Sequence, residues 1–154
     1  MASPMQTRVE TDLSQAFHTL SVDTRGPGLV MITEETGAWL SDIRAGDGLL
    51  TLFIRHTSAS LLIQENADPD VHVDLVDALD RLAPKDVAYV HDVEGPDDMP
   101  AHIKSALTAT SLSIPVRSGC MVLGTWQGIY VVEHRDRAHR REVVLHYLGT
   151  RAAA

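Results

Sequence analysis

Cysteine is nearly absent from this 154-residue sequence. Cys120 stands alone, which rules out an internal disulfide and any cysteine-based zinc cluster. Basic charge is also scarce, with 13 Lys and Arg against 21 Asp and Glu and a net charge of −8. A field of that sign repels a phosphate backbone, so no nucleic-acid partner is expected. Long apolar runs are missing too: stretches such as Leu49–Ile54 fall well short of the roughly 18 residues of a membrane span, and the start MASPMQTRVETD has no apolar signal core. No membrane association is expected, and a cytoplasmic location is the simplest expectation. Linkers, low-complexity stretches and internal repeats do not divide the chain, so residues 1–154 read as one domain, frayed at its start and in its RAAA tail.

What is present is the composition of a folding chain, 44% hydrophobic and 22% charged, long enough to bury a core without staples. Ala16–Thr24 alternates Phe17, Thr19 and Ser21 with His18, Leu20 and Val22, a strand pattern closed by Gly26, Pro27 and Gly28. Leu29–Ile32 resumes as a short strand. Thr33 is placed to cap a helix with Glu34 and Glu35 in its first turn and Trp39, Leu40 and Ile43 inward. Leu49–His56 is the clearest strand, with Leu52, Ile54 and His56 on one face, and Ser60–Gln64 extends or repeats it. Asp68-Pro69 opens a second helix, Val87–His91 reads as a strand, and Asp98-Met99-Pro100 opens a third helix. Leu112–Val116, Met121–Trp126, Ile129–His134 and Glu142–Tyr147 read as strands, with Ser118-Gly119 and Gln127-Gly128 as turns. About three helices among roughly eight strands, joined by hairpins rather than βαβ units, predict an α+β fold of largely antiparallel sheet.

Three segments carry more polar and small residues than packing requires: HTSASLLIQENADP from His56, HDVEGPDDMPAHIK from His91 and GTWQGIYVVEHR from Gly124. His56 and His134 close apolar strands and His102 lies in the first turn of the third helix, where loops and element ends assemble sites. Imidazole is the usual nitrogen ligand for zinc-like ions, and three histidines with one open position form a recognised catalytic arrangement. No HxH or HExxH spacing is present, and hydrogen-bonded packing histidines fit the same positions. His18, His72, His139 and His146 are assigned surface or structural places. Glu65, Asp92, Glu94, Asp97 and Asp98 offer hard oxygen ligands for Mg²⁺ and a substrate phosphate, although Asp97 and Asp98 are equally suited to capping the helix. Arg135, Arg137, Arg140 and Arg141 form the one locally basic stretch, able to receive phosphate bidentately or simply to sit in solvent. Trp126 reads as core, and Gln127 as a turn residue or an amide reader of a planar ring. No GxSxG elbow accompanies Ser58 and Ser60, so serine hydrolase chemistry is disfavoured. Cys120 reads as a buried or edge packing residue.

The same segments carry a resemblance. His56-Thr57-Ser58-Ala59-Ser60-Leu61, Gln64-Glu65-Asn66 with Asp68-Pro69, His91-Asp92, Glu94-Gly95 with Asp97-Asp98-Met99-Pro100-Ala101-His102, Ile114-Pro115-Val116, Leu123-Gly124-Thr125-Trp126-Gln127-Gly128-Ile129 and Glu133-His134-Arg135 together resemble the YjbQ family, from about the first strand to Gly149. The sequence departs from that family's pattern at Ala109-Thr110, where many members have a glycine, and at Cys120, where a basic residue is common. The resemblance implies packed β-sheets, a homotrimer, and a divalent metal ion at His56, His102 and His134. It also implies secondary thiamine phosphate synthase chemistry, in which a hydroxymethylpyrimidine diphosphate joins a thiazole phosphate and pyrophosphate leaves. That reaction assigns charge or proton transfer to Glu65 or Asp98, phosphate orientation to Arg135, and substrate contact to Gln127 and Arg135. The substrate class is then a phosphorylated small molecule, with a zinc-like ion at the histidines and Mg²⁺ suited to the diphosphate. The competing readings are a metal-dependent hydrolase or lyase on another phosphorylated substrate, and a non-catalytic metal- or metabolite-binding trimer.

Overall fold

Alternation of apolar and polar side chains dictates the architecture. In the computed structural model, which describes residues 12–153, the order of elements is β1 (Ser14–Asp23), β2 (Gly28–Met31), α1 (Thr33–Asp42), β3 (Ala45–Ile54), β4 (Ala59–Glu65), α2 (Pro69–Leu82), α3 (Asp98–Leu107), β5 (Ser111–Arg117), β6 (Cys120–Met121), β7 (Gln127–Glu133) and β8 (Arg140–Arg151). The expected frayed start falls on residues 1–11, outside the described residues. Every strand pairing is antiparallel: one sheet runs β1-β8-β3-β5-β6 and the other β2-β7-β4. The α+β class with antiparallel packed sheets is therefore as the sequence predicts.

The two sheets stack through side chains of one parity. Leu50, Leu52 and Ile54 of β3, Val143, Leu145 and Tyr147 of β8 and Ile114 of β5 meet Leu61 of β4 and Ile129 and Val131 of β7, and all are buried. Burying each such side chain contributes about 1.5–3 kcal/mol, which is why the larger sheet has one committed inner face. Its other face, which includes Phe17, Leu49, Phe53 and Leu148, remains exposed. The smaller sheet is covered on its far side: His72 of α2 sits edge-on to Tyr130 of β7, with ring centroids 4.7 Å apart, and Ser105 of α3 donates to the Ala59 carbonyl. Leu40 of α1 joins the inter-sheet core. No helix among the described residues is long and apolar enough to cross a membrane.

Local signals explain several element ends. The Asp68 side chain accepts from the Asp70 amide with Pro69 just inside α2, the expected cap. Ser118 and Gly119 both have positive φ, 50° and 79°, which suits the two-residue turn between β5 and β6. Four expectations change, the first being that Gln127-Gly128 is not a turn but opens β7, paired with Glu65 and Gln64. Thr33 does not cap α1; its hydroxyl instead accepts from the Ile129 amide of β7. Of Met121–Trp126 only Met121 is in a strand, the two-residue β6, and Trp126 is 63% exposed rather than core. Val87–His91 forms no strand, because no partner ladder reaches it, and Val87 and Val90 face solvent in an irregular loop.

Where β3 crosses β8, Gly48 lies opposite Gly149 beside a register shift. A methyl group on Gly48 would collide with the Leu148 carbonyl and the Gly149 Cα. Gly48→Ala is therefore expected to destabilise the protein by about 1–3 kcal/mol in urea unfolding, and an unchanged midpoint would show that the two strands can separate there without loss.

Candidate functional site

Asp98 and His102 stand four residues apart on α3, so both side chains project from one face of its first turns. The loop before α3 brings His91 to the same place. Asp98 Oδ2 lies 2.6 Å from His91 Nε2 and 3.2 Å from His102 Nε2, and the ligand atoms of the three residues all fall within 4.8 Å of one another. Asp98 is 1% exposed, whereas His91 and His102 border solvent.

One hydrogen bond sets the character of this cluster. His102 Nδ1 lies 2.9 Å from the Thr57 carbonyl oxygen, which can only accept, so Nδ1 carries the proton. In a neutral ring Nε2 then presents a lone pair to Asp98 Oδ2, another acceptor. Two acceptors at that distance require a cation, either a proton on Nε2 or a metal ion. Fixing of the imidazole tautomer by a backbone carbonyl is also how metal-ligating histidines are usually held.

Asp98 is held from behind. Arg135 Nη1 donates to Asp98 Oδ1 at 2.8 Å, its Nε to Asp97 Oδ2 at 2.8 Å, and its Nη2 to the Glu94 carbonyl at 3.1 Å. Burial pushes both carboxyls up, but donors prevail: Arg135 and the Asp136 amide bring Asp97 down to about 2, and His91, together with the positive charges nearby, lowers Asp98. Asp97 Oδ2 thus accepts from both Arg135 and the Asp136 amide, and the side chain does not cap α3.

The remaining predicted residues scatter. All three Arg135 nitrogens are engaged internally and the residue is 9% exposed, so within this chain it positions Asp98 instead of reaching out to a phosphate. His56 Nε2 accepts from the Glu142 amide at 2.8 Å, which commits that lone pair to β8. His134 is buried with Nε2 2.9 Å from Ser60 Oγ, itself bonded to the Thr108 hydroxyl. The three histidines named as ligands are therefore not brought together; only His102 belongs to the cluster. Glu65 pairs with Gln127 at the opposite end of β4 from Ala59, roughly 20 Å away at about 3.3 Å per residue. Gln127 Oε1 there accepts from the Gly124 amide and shapes the turn. His91 joins the cluster although histidine spacing alone does not single it out. The clue was the Asp98–His102 helical pair with a histidine a short loop upstream.

A hollow of about 350 Å³ lined by Lys85, Tyr89, His91, Asp92 and Met99 adjoins the cluster. Lys85 pairs with Asp136 at 2.6 Å across its rim. Elsewhere, burial and then the nearby Lys104 charge push His134 down to about 4. Its folded value lies below the unfolded value near 6.5, so the folded state binds fewer protons between pH 6.5 and 4, and stability falls as pH drops through that window. Urea titrations are expected to show a loss on the order of 3 kcal/mol across it, largely removed in His134→Gln, and a flat wild-type profile would refute the assignment.

The chain is similar to several known proteins over most of its length. Residues 7–150 match the family model described as UPF0047 protein YjbQ-like. The UPF0047 protein sll1880 of Synechocystis is 50% identical over 84% of this chain and 89% of its own length. The UPF0047 protein YjbQ of Escherichia coli O157:H7 is 43% identical over 82% and 92%. Among solved structures, the hypothetical protein APE1520 of Aeropyrum pernix superposes with a TM-score of 0.81 at 30% identity, covering 88% of this chain and 99% of that one. With the family model spanning most of the sequence and relatives of this similarity, the chain belongs to the YjbQ-like UPF0047 family.

Proposed function

We propose that His91, Asp98 and His102 hold a divalent ion of zinc-like preference, and that the protein is a small metal-associated enzyme acting on a phosphorylated small molecule. The observation that carries this reading is the His102 Nε2 lone pair facing the Asp98 carboxylate, with its tautomer fixed by the Thr57 carbonyl. Two imidazoles and one carboxylate fit a zinc-like ion better than Mg²⁺ and leave coordination positions open for substrate. The bound ion would supply a Lewis acid for a phosphate oxygen. The chain's own part is to hold Asp98 still through Arg135, keep Asp98 dry, and offer the adjoining hollow, with Tyr89 and Lys85 in its lining, to the rest of the substrate.

Thiamine phosphate synthesis is the specific reaction put forward, on the strength of the family resemblance. Departure of pyrophosphate needs a cation on phosphate oxygens, which the cluster fits. Glu65 and Gln127 are too distant to assist within one chain, so their contribution would come from a neighbouring copy in a homotrimer. The exposed face of the larger sheet supports such an assembly: Leu49 lies opposite Leu148, Phe53 stands four residues along β3 from Leu49, and Phe17 of β1 lies opposite His146, two residues along β8 from Leu148. Several large apolar side chains exposed on one sheet face, here with Thr51 and His146 among them, ordinarily mark an interaction surface.

Two measurements test the reading. Purified protein titrated with Zn²⁺ is expected to bind one ion per chain; His102→Ala should abolish binding, and Arg135→Gln, which frees Asp98 to rotate, should weaken it by about 10–100-fold. Equal affinity in His102→Ala would remove the site. Zinc-loaded protein supplied with both thiamine precursors should release pyrophosphate in a His102-dependent manner, and tight zinc binding without turnover would leave a metal-binding protein with a different reaction or none. For the assembly, light scattering should give three times the 16.8 kDa chain mass, and Leu148→Glu should return it to the single-chain value; a wild-type monomer would exclude the trimer.

A further inference from the structure

A second, separate constellation lies on the other side of the β3–β4 turn. A hollow of about 460 Å³ is lined by Phe53, Arg55, His56, Thr57, Ser58, Thr110 and Arg141. Arg141 is 4% exposed, and its guanidinium is largely spoken for: Nε and Nη2 grip the Glu133 carboxylate, while Nη2 also reaches the Ser58 carbonyl and hydroxyl at 3.3 and 3.1 Å. Nη1 is different. Among the described residues its one hydrogen-bonding neighbour is His56 Nδ1, 3.5 Å away.

The His56 ring cannot satisfy it. The Glu142 amide approaches His56 Nε2 at 2.8 Å, and a backbone N–H can only donate, so Nε2 holds the lone pair. A neutral imidazole has just one such nitrogen, so Nδ1 carries the hydrogen. Nδ1–H and Nη1–H are then two donors facing each other with no acceptor between them, one belonging to a guanidinium almost wholly out of water. A buried charged donor without an acceptor is costly. The neighbouring Arg55 pairs with Glu142 at 3.0 Å in an exposed bridge and adds no acceptor to the gap, and both Glu133 oxygens are held by Arg141 on its other edge.

We propose that this hollow binds an oxyanion of a small molecule, one oxygen of which accepts from both His56 Nδ1–H and Arg141 Nη1–H. Thr57, Ser58 and Thr110 line the same hollow, and hydroxyl side chains are suited to its other oxygens. Carboxylate and phosphate share this chemistry, charge-assisted donation to an anionic oxygen. The site is independent of the metal proposal, since neither His56 nor Arg141 belongs to the His91–Asp98–His102 cluster.

Long-range proton–nitrogen NMR of metal-free protein tests both halves. His56 is expected to carry its proton on Nδ1, and its ring signals should shift saturably with inorganic phosphate, with acetate, or with both, the two titrations telling which oxyanion is preferred. His56→Phe should lower the affinity at least about tenfold, whereas His56→Asn, able to place an amide N–H near the former Nδ1, should retain most of it. A proton on Nε2 would overturn the proposal at once, because Arg141 would then have its acceptor, and this holds even if the variants fail to fold. Absence of any shift with either anion would overturn it equally. Binding that appears only with zinc and disappears in His102→Ala would assign the anion to the metal cluster instead.

Discussion

Glu133 is a carboxylate removed almost completely from water, and the end of the sandwich nearest the site is organised around it. It lies on the inner face of β7, in line with Ile129 and Val131, at the point where the apolar core gives out. Arg141 arrives from the inner face of β8 and takes both oxygens, Thr24 adds its hydroxyl from the end of β1, and the amides of His134 and Arg135 close the shell. Burial alone would raise its pKa, but these donors hold it below the usual carboxylate range. One buried charge thus joins both sheets. Removing either partner would strand the other in a low dielectric, the situation in which loss of a buried ion pair costs several kcal/mol.

The neighbouring residue Arg135 extends the same logic outward. Its own fork is directed at the head of α3, so the order imposed at Glu133 is relayed to Asp98 through two successive backbone positions. This division explains why a small chain can afford an irregular loop beside its candidate site. The loop supplies His91, α3 supplies Asp98 and His102, and the β3–β4 turn orients His102 through the Thr57 carbonyl. Such placement on fixed elements keeps the carboxylate within a narrow range of positions.

Much of this was legible in the sequence, and the parts that were not share a cause. Asp68-Pro69 and Ser118-Gly119 were readable because capping and turn chemistry depend on adjacent residues. The strand alternation in β3 and β8 was readable for the same local reason. Val87–His91 has apolar content without a ladder, and nothing in five residues reveals whether a partner strand exists. The site shows the same divide. Asp98 and His102 share a helix face that sequence spacing displays, whereas the irregular backbone delivering His91 does not. The motif around Arg135 suggests an outward guanidinium, but its direction depends on where Asp97 and Asp98 sit across a long loop, and in the fold it faces inward.

The position of β8 has a further consequence for how the chain comes to be folded. In the larger sheet β8 lies between β1 and β3, pairing Ser14–Asp23 on one side and Ala45–Ile54 on the other. During synthesis, β1 and β3 therefore emerge long before the strand that separates them, and the ladder connecting residue 14 to residue 149 is among the most non-local the chain makes. Until residues 140–151 leave the ribosome, two strand edges and one wall of the core stay open, a state prone to pairing with other nascent chains. Assembly of this sheet thus waits for β8, with the high contact order that makes folding slow relative to helical proteins of similar size.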